Sequence, residues 1–210
     1  ALNVSVSIQW DPEHDILLKA DRPIIIIGNL SDSKCAKYLY YKFFCITDKF
    51  YPGINGYNIR TIINPFGTGY NLIHIGYSEC NGLKKALNIF VSKCKFRYKL
   101  PYFCDIYATR LPCSEDDIKE ICKSSVPEDK NIIHSIHASY WWYMGYIAYM
   151  TGDMEQLQKY LDGWRILLDV ASKKPNIGNN FHLYSLTHVS IWRILECSGL
   201  IPDDMRSGIE

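Results

Sequence analysis

Several signatures that would declare a function at sight are missing from this chain of 210 residues. It has no Gly-x-Ser-x-Gly, so no hydrolase nucleophile elbow is nominated. It has no Cys-x-x-Cys, the tight pair that zinc sites normally show. No cluster of five or more basic residues occurs and the net charge is +1, which argues against a nucleic-acid surface built on phosphate contacts. The isoleucine run Pro23–Ile27 is far too short to cross a bilayer. No basic stretch followed by an apolar core marks a signal peptide at the N-terminus, although a trimmed chain would look the same. The missing initiator methionine points to trimming. No cofactor motif stands out.

What is present is enough apolar residues for a sizeable core, in one large domain or two modest ones. Eight cysteines (Cys35, Cys45, Cys80, Cys94, Cys104, Cys113, Cys122 and Cys197) are mostly spaced ten or so apart. Cys35, Cys45, Cys94 and Cys122 fall in or beside apolar helical patterns, which favours reduced thiols packed as small hydrophobes over disulfides or metal ligands. Sequons at Asn3 and Asn29 do not decide the compartment.

Residues 1–109 read as β-rich. Asn3–Trp10 alternates Val4, Val6 and Ile8 against Ser5, Ser7 and Gln9, the pattern of a half-buried strand. Pro23–Gly28 carries four consecutive isoleucines, as a strand covered on both faces would. Ser31 or Asp32 can cap a helix over Ser33–Phe44. Tyr57–Ile63, the breaker Asn64-Pro65-Phe66-Gly67-Thr68-Gly69, and Tyr70–Tyr77 spell strand, glycine turn, strand. A helix then runs over Asn81–Val91, capped by Ser78 or Asn81. Gly67-Thr68-Gly69 leads into a strand, with no Gly-Lys-Ser/Thr, so it reads as a hairpin turn and not a phosphate cradle. The implied unit is a small sheet with helices packed on one face.

The run from Gly56 to Val91, with its Gly-Tyr-x-Ile-x-Thr, Asn-Pro-x-Gly-Thr-Gly and Ile-Gly-x-Ser segments, resembles the α+β accessory domain found before the catalytic part of many carbohydrate-active enzymes. These include the β-hexosaminidase and α-glucuronidase types and multidomain relatives of heparinase-like lyases. Lys95–Cys113 is a Pro- and aromatic-rich connector, and from about 110 to 210 the pattern turns helical. The expected helices are Ser114–Lys123, Ile133–Met150, Met154–Ser172 and Phe181–Ser198, with a tight Thr151-Gly152-Asp153 turn. That order resembles the start of an α/α-toroid. Pro202-Asp203-Asp204-Met205-Arg206 reads as a new helix N-terminus, so the expectation is a piece of a larger protein whose remainder completes the toroid. The fold class expected is therefore α+β followed by an antiparallel helical-hairpin region, the partial toroid, with domains 1–109 and 110–210.

The resemblance implies a fragment of a polysaccharide lyase or glycoside hydrolase, inactive alone; the alternative is a non-catalytic module that binds a glycan or a protein. Partners would be polysaccharides or oligosaccharides, uronate-containing ones among them, with no nucleic acid and no membrane span. Such a protein would be secreted or periplasmic, and a cytoplasmic one would hold its cysteines reduced. No family residue can be carried over position by position. By residue type, a lyase needs a group to neutralise a carboxylate, a base and an acid, roles that suit Asn180, His182 and Tyr184. The competing reading is a helix-capping Asn180 with His182 and Tyr184 packed in an inter-helix groove. Tyr140, Trp141 and His188 are the candidate substrate-binding residues, because aromatic rings stack on sugar rings. In the aromatic stretch Tyr140–Tyr149, the spacing of Tyr143, Tyr146 and Ile147 suits a core, leaving Tyr140, Trp141 and Tyr149 as the exposed members. His134 and His137 share a helix face but lack a third ligand, so no metal site is expected. Glu115, Asp116 and Asp117 suit a helix start, and no acid pair suits a glycosidase.

Overall fold

The computed structural model describes residues 7–95, 99–123, 140–173 and 185–206. The chain divides into two compact units, Ala1–Pro112 and Cys113–Glu210. It is an α+β protein, with one four-stranded mixed sheet and helices.

The first unit runs α1 (Asp15–Leu18), β1 (Ile24–Ile27), α2 (Lys34–Tyr41), β2 (Tyr57–Ile62), β3 (Leu72–Tyr77), α3 (Cys80–Cys94) and β4 (Cys104–Tyr107). The sheet order is β1-β3-β2-β4. β1 lies parallel to β3, with Ile26 opposite His74, and the other pairs are antiparallel. β2 and β3 form the expected hairpin. Asn64, Gly67 and Gly69 take positive φ in its loop, and the Asn64 side chain accepts a hydrogen bond from the Gly69 N–H at 2.8 Å. Both glycines thus serve a strand-to-strand turn.

Period-two alternation sends Ile59, Ile73 and Ile75 to one face, where Ala86 of α3 and Phe103 complete a core. Burying each such isoleucine stabilises the fold by about 1.5–3 kcal/mol. α3 sits this close because residue 82 is glycine: a Cβ there would lie 2.1 Å from the Gly56 carbonyl oxygen. On the opposite face, Thr47 and Tyr51 from the chain after α2 meet His74 and Asn58. The Cys45 thiol, at 3.7 Å from the Ala36 carbonyl, ties α2 to that layer. The helices therefore cover both faces of the sheet, not one.

Other expectations need correction. β1 is an edge strand, so Ile26 is buried while Ile25 and Ile27 are 39% and 45% exposed; it is not covered on both faces. The connector after Lys95 contains β4, which pairs with β2 from Tyr57↔Tyr107 to Arg60↔Cys104. Ser7–Trp10 is not a strand, and Ile8 and Trp10 are exposed; the rest of the expected strand Asn3–Trp10 lies outside the described residues. α2 is capped by Ser33, whose hydroxyl accepts from the Ala36 N–H, while Asp32 accepts from the Asn29 N–H. Glu79 stands at the N-cap of α3 without a side-chain cap, because Ser78 accepts from the Gly53 N–H instead.

In the second unit the described elements are α4 (Glu115–Lys123), a 3-10 turn (Tyr140–Trp142), α5 (Tyr143–Thr151), α6 (Met154–Lys173), α7 (Ser185–Cys197) and α8 (Asp203–Arg206). Ser114 and Asp117 cap α4 reciprocally, hydroxyl to backbone and carboxylate to backbone. α5 ends on Gly152 at φ 77, the left-handed cap that glycine permits, and Asp153 caps α6 by accepting from Glu155 and Gln156. Two helices joined so tightly form a hairpin. Of the expected helices, Ile133–Met150 and Phe181–Ser198 are described only from Tyr140 and Ser185 onward.

Candidate functional site

The helical unit gathers its aromatic residues into one seam. Trp141 leaves the 3-10 turn and meets Tyr160 and Trp164 of α6 at ring-centroid distances of 5.7 and 6.3 Å. The His188 imidazole of α7 lies 5.8 Å from Trp141, 5.4 Å from Trp142 and 6.0 Å from Trp164. Trp192, one turn further along α7, packs on Trp164 at 5.1 Å. The seam follows from spacing, since Tyr160 and Trp164, like His188 and Trp192, stand four apart on one helix face.

Of the candidate residues, the structure therefore brings Trp141 and His188 together, but in the interior. Trp141 is 0% and His188 2% exposed. Tyr149 is buried as well. The expectation of Trp141 and Tyr149 on the surface is corrected: α5 is apolar nearly all round, and such a helix is buried on more than one side. Asn180, His182 and Tyr184 lie outside the described residues, as do His134, His137 and the side chain of Tyr140.

Within the seam the Trp141 and Trp164 indole nitrogens, the Tyr160 hydroxyl and the Gln156 carbonyl oxygen are buried without a hydrogen-bond partner among the described residues. The Tyr160 hydroxyl adjoins the Trp164 nitrogen, yet the pair misses hydrogen-bond geometry. Burial drives the Tyr160 phenol well above its ordinary pKa, so it stays a neutral hydroxyl. Each such atom costs about 1–3 kcal/mol, which aromatic burial must offset. Trp141, at the centre of the seam, has no exposed face on which a sugar ring could stack.

A second polar constellation lies on the α2 side of the sheet and escaped sequence reasoning. Tyr51 accepts from the Asn58 amide at 3.0 Å, and Asn58 accepts from Arg60 Nε at 3.1 Å. Arg60 Nη1 reaches Cys104 Sγ at 3.6 Å. His74 Nε2 donates to the Gly28 carbonyl at 2.9 Å, with the Thr47 hydroxyl 3.5 Å away. Burial depresses the His74 pKa to about 4, outweighing the opposing hydrogen bond to Gly28. The imidazole is therefore neutral at pH 7, its one proton held by a carbonyl. The signal was available, because Asn58 and Arg60 share one strand face by period two, as do His74 and Gly76.

α3 and β4 carry exposed charged and aromatic side chains side by side. Lys85 Nζ lies 5.4 Å from the centroid of the Tyr107 ring, which is tilted against Tyr57 at 6.0 Å. Lys93 pairs with Asp105 at 2.5 Å. No disulfide joins any of the eight cysteines, and burial pushes the Cys45 thiol up to about 12. No group of three or more His, Cys, Asp or Glu among the described residues could hold a metal ion, and no described helix is long and apolar enough to cross a membrane. No protein-family model, curated protein or solved structure matches the chain.

Proposed function

We propose that the chain is part of a carbohydrate-active enzyme of the polysaccharide lyase or glycoside hydrolase class, and that these residues bind or scaffold without doing chemistry. The observation that carries the first half is the succession of a mixed sheet unit and a helical hairpin closed at Gly152-Asp153. The Gly56–Val91 run, which carries the resemblance, is a hairpin followed by a helix, and the α5–α6 hairpin suits the repeating unit of an α/α-toroid. Support for the second half is the burial of Trp141 and His188, which removes both from contact with substrate. His74 is likewise committed to the Gly28 carbonyl.

The same burial favours a second reading, a non-catalytic module that recognises a glycan or a protein. Turnover separates the two. The product of the natural reading frame should be incubated with uronate and neutral polysaccharides while unsaturated and reducing ends are followed. Unsaturated ends support a lyase and shortened sugars a hydrolase. Binding without turnover favours the module, and neither binding nor turnover across those glycans rejects the carbohydrate reading.

A further inference from the structure

We propose that the outer face of α3, with Tyr107 of β4 beside it, is a docking surface for an anionic polysaccharide. The inference rests on the carbohydrate reading above and assigns it a surface and a ligand charge. α3 is a fifteen-residue helix with no acidic residue of its own. Its inner face, Leu83, Ala86 and Phe90, packs on the sheet. The rest of its circumference presents Asn81, Lys84, Lys85, Asn88, Val91 and Ser92, all exposed, with Lys93 on the flank toward Asp105 and exposed Lys95 just beyond the helix end.

Among the described residues the acids beside this face are Asp105 and Glu79, and they lie off its middle. Asp105 is taken by Lys93, and Glu79 stands at the helix start. Lys84 has no carboxylate within ion-pair distance among the described residues, and Lys85 meets only the Tyr107 ring. The helical rise places Lys93 about 12 Å along the axis from Lys85 and on the same flank of α3, a length that a short run of sugars spans. At the Lys85 end the half-exposed Tyr107 ring offers an apolar plane beside an ammonium group. A sugar ring with a carboxylate presents the complement of that pair, an apolar face and an anion.

Nucleic acid is the competing polyanion. The face has lysines and no arginine among its described members, so it lacks the planar fork that reads phosphates and bases in pairs.

The test is a titration of the whole chain at low salt with short oligogalacturonate, a neutral oligosaccharide of equal length, and single-stranded RNA. Wild type, Lys84→Glu/Lys85→Glu, Tyr107→Ala and, as a surface control, Lys119→Glu are compared after circular dichroism has confirmed folding. Oligogalacturonate should bind wild type and the control alike and weaken steeply with salt. The double reversal should lower its affinity about tenfold or more. Tyr107→Ala should lower it about two- to tenfold. Uronate binding that ignores all three substitutions overturns this surface while leaving the carbohydrate reading intact. Equal binding of the neutral sugar, tighter binding of RNA, or no uronate binding by wild type each overturns the proposal. Turnover by the product of the natural reading frame judges the underlying reading independently.

Discussion

Acidification should loosen the sheet unit through His74, and the structure sets the size of the effect. His74 is fully buried, and its Nε2–H is held by the Gly28 carbonyl at 2.9 Å. A second proton would sit inside the protein with Asp32 as the compensating charge, so burial takes the pKa from 6.5 to about 4. Because the folded value is depressed, the unfolded chain binds more protons between those two pH values. Stability from this group is thus complete above pH 6.5 and lost as pH falls to about 4. The lowering corresponds to about 3 kcal/mol, with a slope of up to about 1.4 kcal/mol per pH unit inside the window. Native-state hydrogen exchange of the Ile59 and Ile75 amides reads the stability of this unit without interference from the other. His74→Gln keeps a donor for Gly28 without a titrating ring, so its profile should be nearly flat from pH 6.5 to 4.5, where wild type declines. Equal slopes in the two proteins would refute the assignment of the acid sensitivity to His74.

Gly82→Ala should destabilise the sheet unit by about 1–3 kcal/mol in urea unfolding, since its Cβ would meet backbone at 2.1 Å and force α3 outward. Trp141→Ala should cost the helical unit about 3–5 kcal/mol, seen as lost near-ultraviolet dichroism; a fully folded variant with altered sugar binding would show that the ring faces ligand after all. Alkylation at pH 8 followed by mass spectrometry should label exposed Cys80 and Cys104 in the native protein and buried Cys35 and Cys45 only on unfolding. Labelling of Cys45 at the rate of Cys104 would contradict its burial.

Part of this fold is written in local signals. β2, β3 and the glycine loop between them follow from β-branched residues around a breaker, and α3 follows from its apolar stripe. The signal at β1 is ambiguous, because four isoleucines look alike in a central strand and an edge strand. Edge position, decided by which strands find each other, leaves Ile25 and Ile27 bare. β4 is hidden for the same reason, since Cys104–Tyr107 has little strand character of its own and its pairing with β2 supplies the order. The helix caps were misplaced by one or two residues because serine and aspartate near a helix start have several backbone donors to choose from.

The candidate site was less legible. Helical periodicity divides Tyr140–Tyr149 into faces, but it does not say how many neighbours cover the helix. α6 and α7 both contribute rings to the seam, so Trp141 is enclosed whichever way a two-faced pattern would turn it. The 3-10 turn at Tyr140–Trp142 adds to the error, because it winds the chain more tightly than the continuous helix assumed.

The loop between β2 and β3 offers a practical opening. A side chain added at Gly67 or Gly69 would find no other atom within 4 Å, and the loop is closed at its base by the strand pair Ile62↔Leu72. A fluorophore, an epitope or a short foreign peptide grafted between Gly67 and Gly69 should leave the sheet undisturbed, because the strands beneath are already joined and the added chain meets only solvent. The sheet unit can thus carry a reporter on the outside of its β2–β3 turn.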